Sequence, residues 1–129
     1  MKPPIEYIRV SATGKDILTK IKKRTGLEHW NELCRFALFR SLINRDPPLA
    51  VIKLGETSIE MEWKTFAGPF QHEFTALIIF RAQQDGIDVT RKDSLSEYFK
   101  AHLERGIANI RNIDDISELL SYDFEALDS

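Results

Sequence analysis

The side chains able to do acid–base or metal chemistry are few in this sequence and lack the spacing that such chemistry needs. The three histidines, His29, His72 and His102, are scattered along the chain. None belongs to an HExxH-type motif, and a zinc ion needs three or four converging ligands. The sequence has no GxxxxGK[ST] or GxGxxG segment to cradle a nucleotide phosphate, and no CxxC pair. We therefore expect no enzyme activity, no metal site and no cofactor.

The only candidate nucleophile is the single cysteine, Cys34. Its spacing from Trp30, Leu33 and Leu38 places it on the apolar face of a predicted helix, where free cysteine behaves as a small hydrophobe. Burial in apolar surroundings makes a thiol unreactive. We interpret Cys34 as a packing residue and keep a sulfur-handling role as the alternative.

A cluster of cations in the first third of the chain is the better functional lead. The candidate DNA-contacting residues are Lys20, Lys22, Lys23 and Arg24, together with Lys15 and Arg9 upstream. Lysine and arginine bind nucleic-acid phosphates and release the counterions condensed there. No aromatic residue interleaves with the KIKKR segment, so stacking on single-stranded bases is not indicated. The cluster predicts contact with the backbone of a DNA duplex; the alternative is a solvated helix face.

Charge divides the chain into a basic beginning and an acidic remainder. Residues 1–45 hold ten Lys or Arg and four Asp or Glu, whereas residues 46–129 hold eight basic and sixteen acidic residues. Such a split suits a protein that meets a polyanion at one end. The N-terminus has no apolar stretch typical of a signal peptide, and the longest apolar run, residues 76–80, is far below the roughly 20 residues of a membrane span. We expect a cytoplasmic protein.

Periodicity and capping residues predict a mainly helical single domain, residues 1–129, with a few short strands. A strand over residues 5–10 precedes a helix capped by Ser11 or Thr13 and closed at Gly26. The other predicted elements are a helix over 28–44, strands over 50–54 and 58–63, a helix over 70–84, a helix capped by Ser94 and an acidic helix over 113–127. In the helix over 70–84, the predicted core-facing stripe is Phe70, Phe74, Leu77 and Ile78. The chain thus divides into a basic strand–helix–helix segment (1–45), a segment of short strands and two helices (46–112), and an acidic C-terminal helix (113–129).

The helix over residues 28–44 is apolar on two sides. One side carries the stripe that includes Leu33, Cys34 and Leu38, while Phe36, Phe39 and Ile43 lie on the other side of the helical wheel. We expect the first side to close the fold and the second to form an oligomer interface. The strand–helix–helix order is also that of a ribbon–helix–helix unit, in which the strand pairs with a second copy.

The segment IKKRTGLEHWNELCRFALFRSL, residues 21–42, strongly resembles the signature of the DndE family of bacterial DNA sulfur modification proteins. The elements that carry the resemblance are Thr25-Gly26, Trp30-Asn31, Leu33-Cys34-Arg35, Ala37 and Ser41-Leu42. Residues 55–68 and 101–110 also look similar, so the resemblance covers most of the chain to about residue 110.

The resemblance implies a mainly helical, tetrameric accessory protein without enzyme activity. It would belong to the machinery that replaces a non-bridging phosphate oxygen of DNA with sulfur, and would bind DNA through surface lysines. Its implied partners are a cysteine desulfurase, an iron–sulfur protein, an ATPase and a PAPS-reductase-like protein. The DNA-contact role is carried over to the cations just before Thr25-Gly26, and after them to Lys15 and Arg9.

Three other functions remain open from the sequence. The chain could be a protein-interaction scaffold whose acidic C-terminal segment docks on a basic partner. It could be a ribbon–helix–helix transcription regulator that reads bases with alternate strand residues, either Glu6 and Ile8 or Tyr7 and Arg9. It could relay sulfur through Cys34.

Overall fold

The computed structural model describes residues 2–49 and 55–113. Its helices and strands, in chain order, are β1 (Tyr7–Ser11), α1 (Ala12–Thr25), α2 (Trp30–Ile43), β2 (Thr57–Glu62), α3 (Trp63–Ala67), α4 (Gln71–Gln84) and α5 (Lys92–Asn109), with a 3-10 turn, Gly68–Phe70, before α4. The predicted class, mainly helical with short strands, is confirmed. None of these helices is both long enough and apolar enough to cross a lipid bilayer.

The two strands form an antiparallel sheet that covers one side of the core. Ile8 faces Met61 and Val10 faces Ile59 on the inner side, while Arg9 faces Glu60 on the outer side. Because successive side chains of a strand point to opposite faces, apolar residues turn inward and charged residues outward. β1 thus pairs with β2 of its own chain, and the ribbon–helix–helix-like detail of the predicted fold is not confirmed.

Helices α2 and α5 form the most extensive helix–helix contact among the described elements. Their backbones meet at Gly106, where an added Cβ would lie 1.7 Å from the carbonyl oxygen of Ala37. On the same face of α2, Leu33, Cys34 and Leu38 are fully buried. The absence of a side chain at Gly106 therefore sets how closely the central helices approach.

An aromatic cluster joins α3, α4 and α5. The ring centroids of Trp63, Phe66 and Phe99 lie 5.4 to 5.6 Å apart, and Phe74 of α4 lies 5.5 Å from Phe66. These tilted and edge-on pairs are favoured by aromatic quadrupoles and fill the core with large apolar groups. Helix α3 places two of the four rings, although the sequence pattern did not predict this short helix.

Several sequence predictions of element ends are confirmed and others are wrong. Ser11 caps α1 by accepting a hydrogen bond from the Gly14 N–H at 2.9 Å, and Gly26 ends it with a φ of 77°. Helix α5 begins earlier than the predicted Ser94 cap, because Leu95 N–H already donates to the Arg91 carbonyl at 3.1 Å. The strand predicted over residues 50–54 and all but the first residue of the helix predicted over 113–127 lie outside the described residues.

Candidate nucleic-acid interface

Helix α1 buries one side and presents lysines on the other. Leu18 and Ile21 are fully buried, since residues three apart share the side of the helix that meets the core. Lys20 and Lys23 are also three apart and are exposed away from that side. Neither of them, nor exposed Lys15, forms an ion pair with any residue that the structure describes. No carboxylate of the described residues therefore neutralises these three charges.

Two further cations of α1 are held by contacts with the rest of the fold. The Lys22 ammonium lies 4.3 Å from the ring centroid of Trp30 in α2, a cation–π geometry that fixes a half-buried side chain. The Arg24 guanidinium donates to the backbone carbonyl of Arg111 at 3.4 Å, just after α5. Both contacts orient the C-terminal end of α1 against neighbouring elements.

The helix dipole explains part of this cation cluster. Lys22, Lys23 and Arg24 occupy the last turn of α1, where positive charge is favoured near unsatisfied carbonyls. That effect falls off within one turn, so it does not account for Lys15 or Lys20. Lys15, Lys20, Lys22, Lys23 and Arg24 are spread around the outer surface of α1, from one edge of the buried stripe to the other, and this surface is called the cationic face below.

Arg9 does not belong to the cationic face, because it lies on β1 and is paired with a carboxylate. It belongs to the outer side of the two-stranded sheet, where its Nε donates to the Glu60 carboxylate at 3.3 Å. Both side chains are about half exposed, so the pair is screened by solvent. Arg9 therefore offers a weaker net positive potential than the lysines of α1.

A second surface feature is an apolar groove between α2 and α4, about 550 Å³ in volume. It is lined by Glu32, Arg35, Phe36, Phe39, Phe70, Glu73, Phe74 and Leu77. Phe39 is 43% exposed, and its ring centroid lies 5.4 Å from that of Phe74 on α4. Phe70 is 52% exposed and Phe80, further along α4, is 59% exposed. Contiguous exposed apolar surface of this kind is typical of interaction sites.

A family model described as "DNA sulphur modification protein DndE" matches residues 7–118, most of the chain. The chain belongs to the DndE family. No curated protein matches it significantly in sequence.

Solved DndE structures share the fold of this DndE-family chain. One is the crystal structure of a glycine-to-lysine DndE mutant involved in DNA phosphorothioation, with 23% identity, a TM-score of 0.62, and coverage of 84% of this chain and 98% of that one. Another is DndE from Escherichia coli B7A, involved in DNA phosphorothioation modification, with 24% identity, a TM-score of 0.63, and coverage of 82% and 97%. At these identities the likeness establishes a shared fold.

Cys34 of this DndE-family chain is fully buried, as its spacing predicted. Burial, and after it the Glu104 carboxylate, raises the pKa of the Cys34 thiol to about 12. A thiol with this pKa is protonated at neutral pH and is a poor nucleophile. These observations favour the packing role over sulfur handling.

The histidine beside the apolar stripe of α5 belongs to a buried polar network that the sequence did not reveal. His102 Nδ1 lies 2.8 Å from Ser41 Oγ, and Arg105 Nε donates to the same oxygen at 2.8 Å. Since Ser41 Oγ accepts from Arg105, its own hydrogen can point to Nδ1, which places the ring proton on Nε2. Nε2 has no hydrogen-bonding partner among the described residues. Burial, without a carboxylate in the described part of the chain to pair with a charged ring, therefore favours the neutral form of the His102 imidazole.

Two arginines, Arg81 and Arg105, cap the C-terminal end of α2. Arg105 Nη2 donates to the Ser41 carbonyl at 2.8 Å, and Arg81 Nη1 donates to the Leu42 carbonyl at 2.8 Å. Arg81 Nε is also paired with Asp85 at 3.2 Å. The last carbonyls of a helix have no partner within it, so guanidinium groups there satisfy backbone acceptors and complement the dipole. These arginines therefore stabilise the end of α2.

The structure brings the predicted site residues onto two separate kinds of surface. The α1 cations form the cationic face, and Phe36 and Phe39 line the apolar groove, whereas Ile43 is half-buried and outside its lining. The predicted core stripe of α4 is wrong at Phe70 and Leu77, which are exposed in the groove. The signal was present in the segment FTALIIF, which is apolar on more than one side of a helix. Within the described residues, no group of three His, Cys, Asp or Glu side chains is placed to hold a metal ion.

Proposed function

We propose that this DndE-family chain is a non-enzymatic, DNA-binding accessory subunit of the DNA phosphorothioation machinery in the bacterial cytoplasm. The observation that carries the proposal is the cationic face of α1, whose Lys15, Lys20 and Lys23 lack ion-pair partners among the described residues. Family membership supplies the biological setting, because the matching model describes a DNA sulphur modification protein.

The cationic face suits the phosphate backbone of a duplex, either intact or nicked. Each Lys or Arg that neutralises a phosphate releases condensed counterions, which gives affinity without reading base sequence. Lys22 contributes through a side chain already positioned over Trp30, while the charge of Arg9 is partly offset by Glu60. We assign the main contacts to α1 and a smaller contribution to Arg9.

Assembly of several copies would gather several cationic faces around one DNA segment. We assign the apolar groove, with Phe36, Phe39 and the adjacent Ile43, to a contact between copies in a tetramer. Exposed aromatic residues are the usual anchors of protein interfaces. Within the same machinery, the expected protein partners are a cysteine desulfurase, an iron–sulfur protein, an ATPase and a PAPS-reductase-like protein.

The assignment of the lysines is tested by measuring duplex affinity against salt concentration. Replacing Lys20 and Lys23 together with Ala should weaken binding by at least about tenfold at low salt and flatten the log–log salt slope by about 1.8 or more, near 0.9 per lost phosphate contact. Both side chains are exposed, so the fold should be unaffected.

The matched control removes two exposed positive charges elsewhere, Lys2→Ala with Lys64→Ala, and should leave the salt slope nearly unchanged. Equal effects of the two double variants would contradict the assignment to α1. A wild-type protein without duplex affinity at low salt would instead favour the scaffold function. Protection of one defined sequence would favour a regulator, although Ile8, one of its proposed base-reading residues, is 1% exposed.

A further inference from the structure

The acidic residues are concentrated beyond the described part of the chain. Residues 114–129 contain six carboxylates and no Lys or Arg: Asp114, Asp115, Glu118, Asp123, Glu125 and Asp128. The remaining residues, 1–113, hold 18 basic and 14 acidic side chains and therefore carry a net charge of +4. The chain is thus a cationic domain joined to a short polyanion, which we call the acidic segment.

The fold fixes where the acidic segment begins. After α5, the Ile113 N–H donates to the Ile110 carbonyl at 3.0 Å, and both isoleucines are buried, at 5% and 1% exposure. In the same turn, the Arg111 carbonyl accepts the hydrogen bond from Arg24 at 3.4 Å. The acidic segment therefore starts beside the last turn of α1, which belongs to the cationic face.

Tethering at this point gives the carboxylates a high local concentration around the cationic face. Asp114 and Asp115 follow the buried Ile113 directly, and each residue spans at most about 3.6 Å. A short tether produces effective concentrations in the millimolar range. Six negative charges are well matched to the five cations of the face, and the attraction is strongest at low ionic strength.

We propose that the acidic segment of this same chain, residues 114–129, occupies the cationic face in the absence of DNA and competes with phosphate for it. This regulation rests on the proposed DNA-binding function. Binding of a duplex exchanges carboxylates for phosphates on Lys20 and Lys23, so only a site of high phosphate density displaces the segment. The exchange also makes the salt slope shallower, because displaced carboxylates take up counterions as the DNA releases its own.

The first test compares two full-length triple variants that each remove three negative charges. One neutralises the start of the acidic segment with Asp114→Asn, Asp115→Asn and Glu118→Gln. The control neutralises exposed carboxylates of the folded part, outside the groove lining, with Glu56→Gln, Glu62→Gln and Asp93→Asn. We expect the first variant to bind duplex about tenfold more tightly than wild type, with a steeper salt slope, and the control to change affinity less than about threefold. Equal changes would overturn the proposal.

The second test needs no DNA binding and separates this inference from the proposed function. Zero-length carbodiimide cross-linking of the wild-type protein, followed by peptide mass spectrometry, should join carboxylates of residues 114–129 to Lys20 or Lys23. A mixture of isotope-labelled and unlabelled protein should show these links within single chains. Loss of the links on adding duplex would support competition. Absence of the links, or links only between different chains, would overturn the proposal even if the protein binds DNA.

Discussion

At the scale of single residues, Cys34 and His102 are held in their neutral forms by burial. The sequence could predict the burial of Cys34, because its spacing from Leu33 and Leu38 lies within one helix. It could not predict the partner of His102, since Ser41 is 61 residues away and meets it only in the folded chain. Burial on one face of a helix can be predicted from residue spacing. A hydrogen bond between two elements cannot, because it depends on how those elements pack.

The raised pKa of Cys34 predicts that its thiol is unreactive in the native protein. With a pKa of about 12, roughly one thiol in ten thousand is ionised at pH 8, against about one in ten for a thiol at the ordinary value of 9.0. Reaction with a disulfide reagent at pH 8 should therefore be roughly a thousandfold slower in native than in urea-unfolded protein. Similar rates in the two states would contradict the packing role and reopen sulfur handling.

The lowered pKa of His102 predicts a loss of stability in weak acid. Burial, and then the positive charges of Arg105 and Arg81, lowers the pKa of His102 from 6.5 to about 4. Between these values the unfolded chain binds the proton and the native chain does not, so the free energy of unfolding falls as pH drops from 6.5 to 4. The contribution of this residue is at most about 3 kcal/mol.

Urea unfolding at several pH values checks whether the free energy of unfolding falls as the pH drops. His102→Asn keeps an acceptor for Ser41 but cannot be protonated, so its unfolding free energy should depend less on pH between 4 and 6.5 than that of wild type. His72→Asn, at an exposed position of α4, supplies the control for the replacement of a histidine by asparagine. Parallel curves for wild type and the His102 variant would show that this histidine does not titrate differently on folding.

At the scale of elements, the predicted helices are largely correct, and the errors arise where tertiary contacts compete with local pattern. Helix α2 was predicted to be apolar on two sides, and its second side does form part of the groove. For α4, the 3.6-residue period also selected Phe70 and Leu77 as core, yet both remain exposed. When a helix is apolar on two sides, its sequence pattern alone does not show which side faces the core of its own chain.

Gly106 gives the sharpest prediction at this scale. On helix propensity alone, replacing an interior glycine of α5 with alanine should stabilise the protein by about 1 kcal/mol. The structure predicts the opposite sign, because the new Cβ would lie 1.7 Å from the Ala37 carbonyl oxygen and would force α2 and α5 apart. We expect Gly106→Ala to lower the free energy of unfolding by about 3 kcal/mol.

Thermal and urea unfolding of two variants separate packing from propensity. Ala108→Gly, at an exposed position near the end of the same helix, measures the local propensity term and should cost no more than about 1 kcal/mol. A Gly106→Ala protein more stable than wild type would mean that the two helices are not in backbone contact at this point.

At the scale of the whole molecule, charge and apolar surface are distributed unequally. The charge asymmetry between residues 1–45 and the rest was visible in the sequence. The depth of the apolar groove was not, because α2 and α4 come from distant segments that only the fold brings together. We propose that the groove joins copies of the chain and that this assembly brings several cationic faces to one DNA.

The most direct test of this link combines oligomeric state with salt-dependent duplex binding. Phe39→Glu places a charge in the groove at a residue that is 43% exposed, and Leu49→Glu does the same at a residue that is 90% exposed outside the groove lining. Light scattering on the eluting protein should show an oligomer for wild type and Leu49→Glu, and a monomer for Phe39→Glu. The salt slope of duplex binding should be about twice as steep for the oligomers, because more than one cationic face then contacts the phosphates. A monomeric wild-type protein, or a monomeric Phe39→Glu variant that binds duplex with an unchanged affinity and slope, would contradict the account.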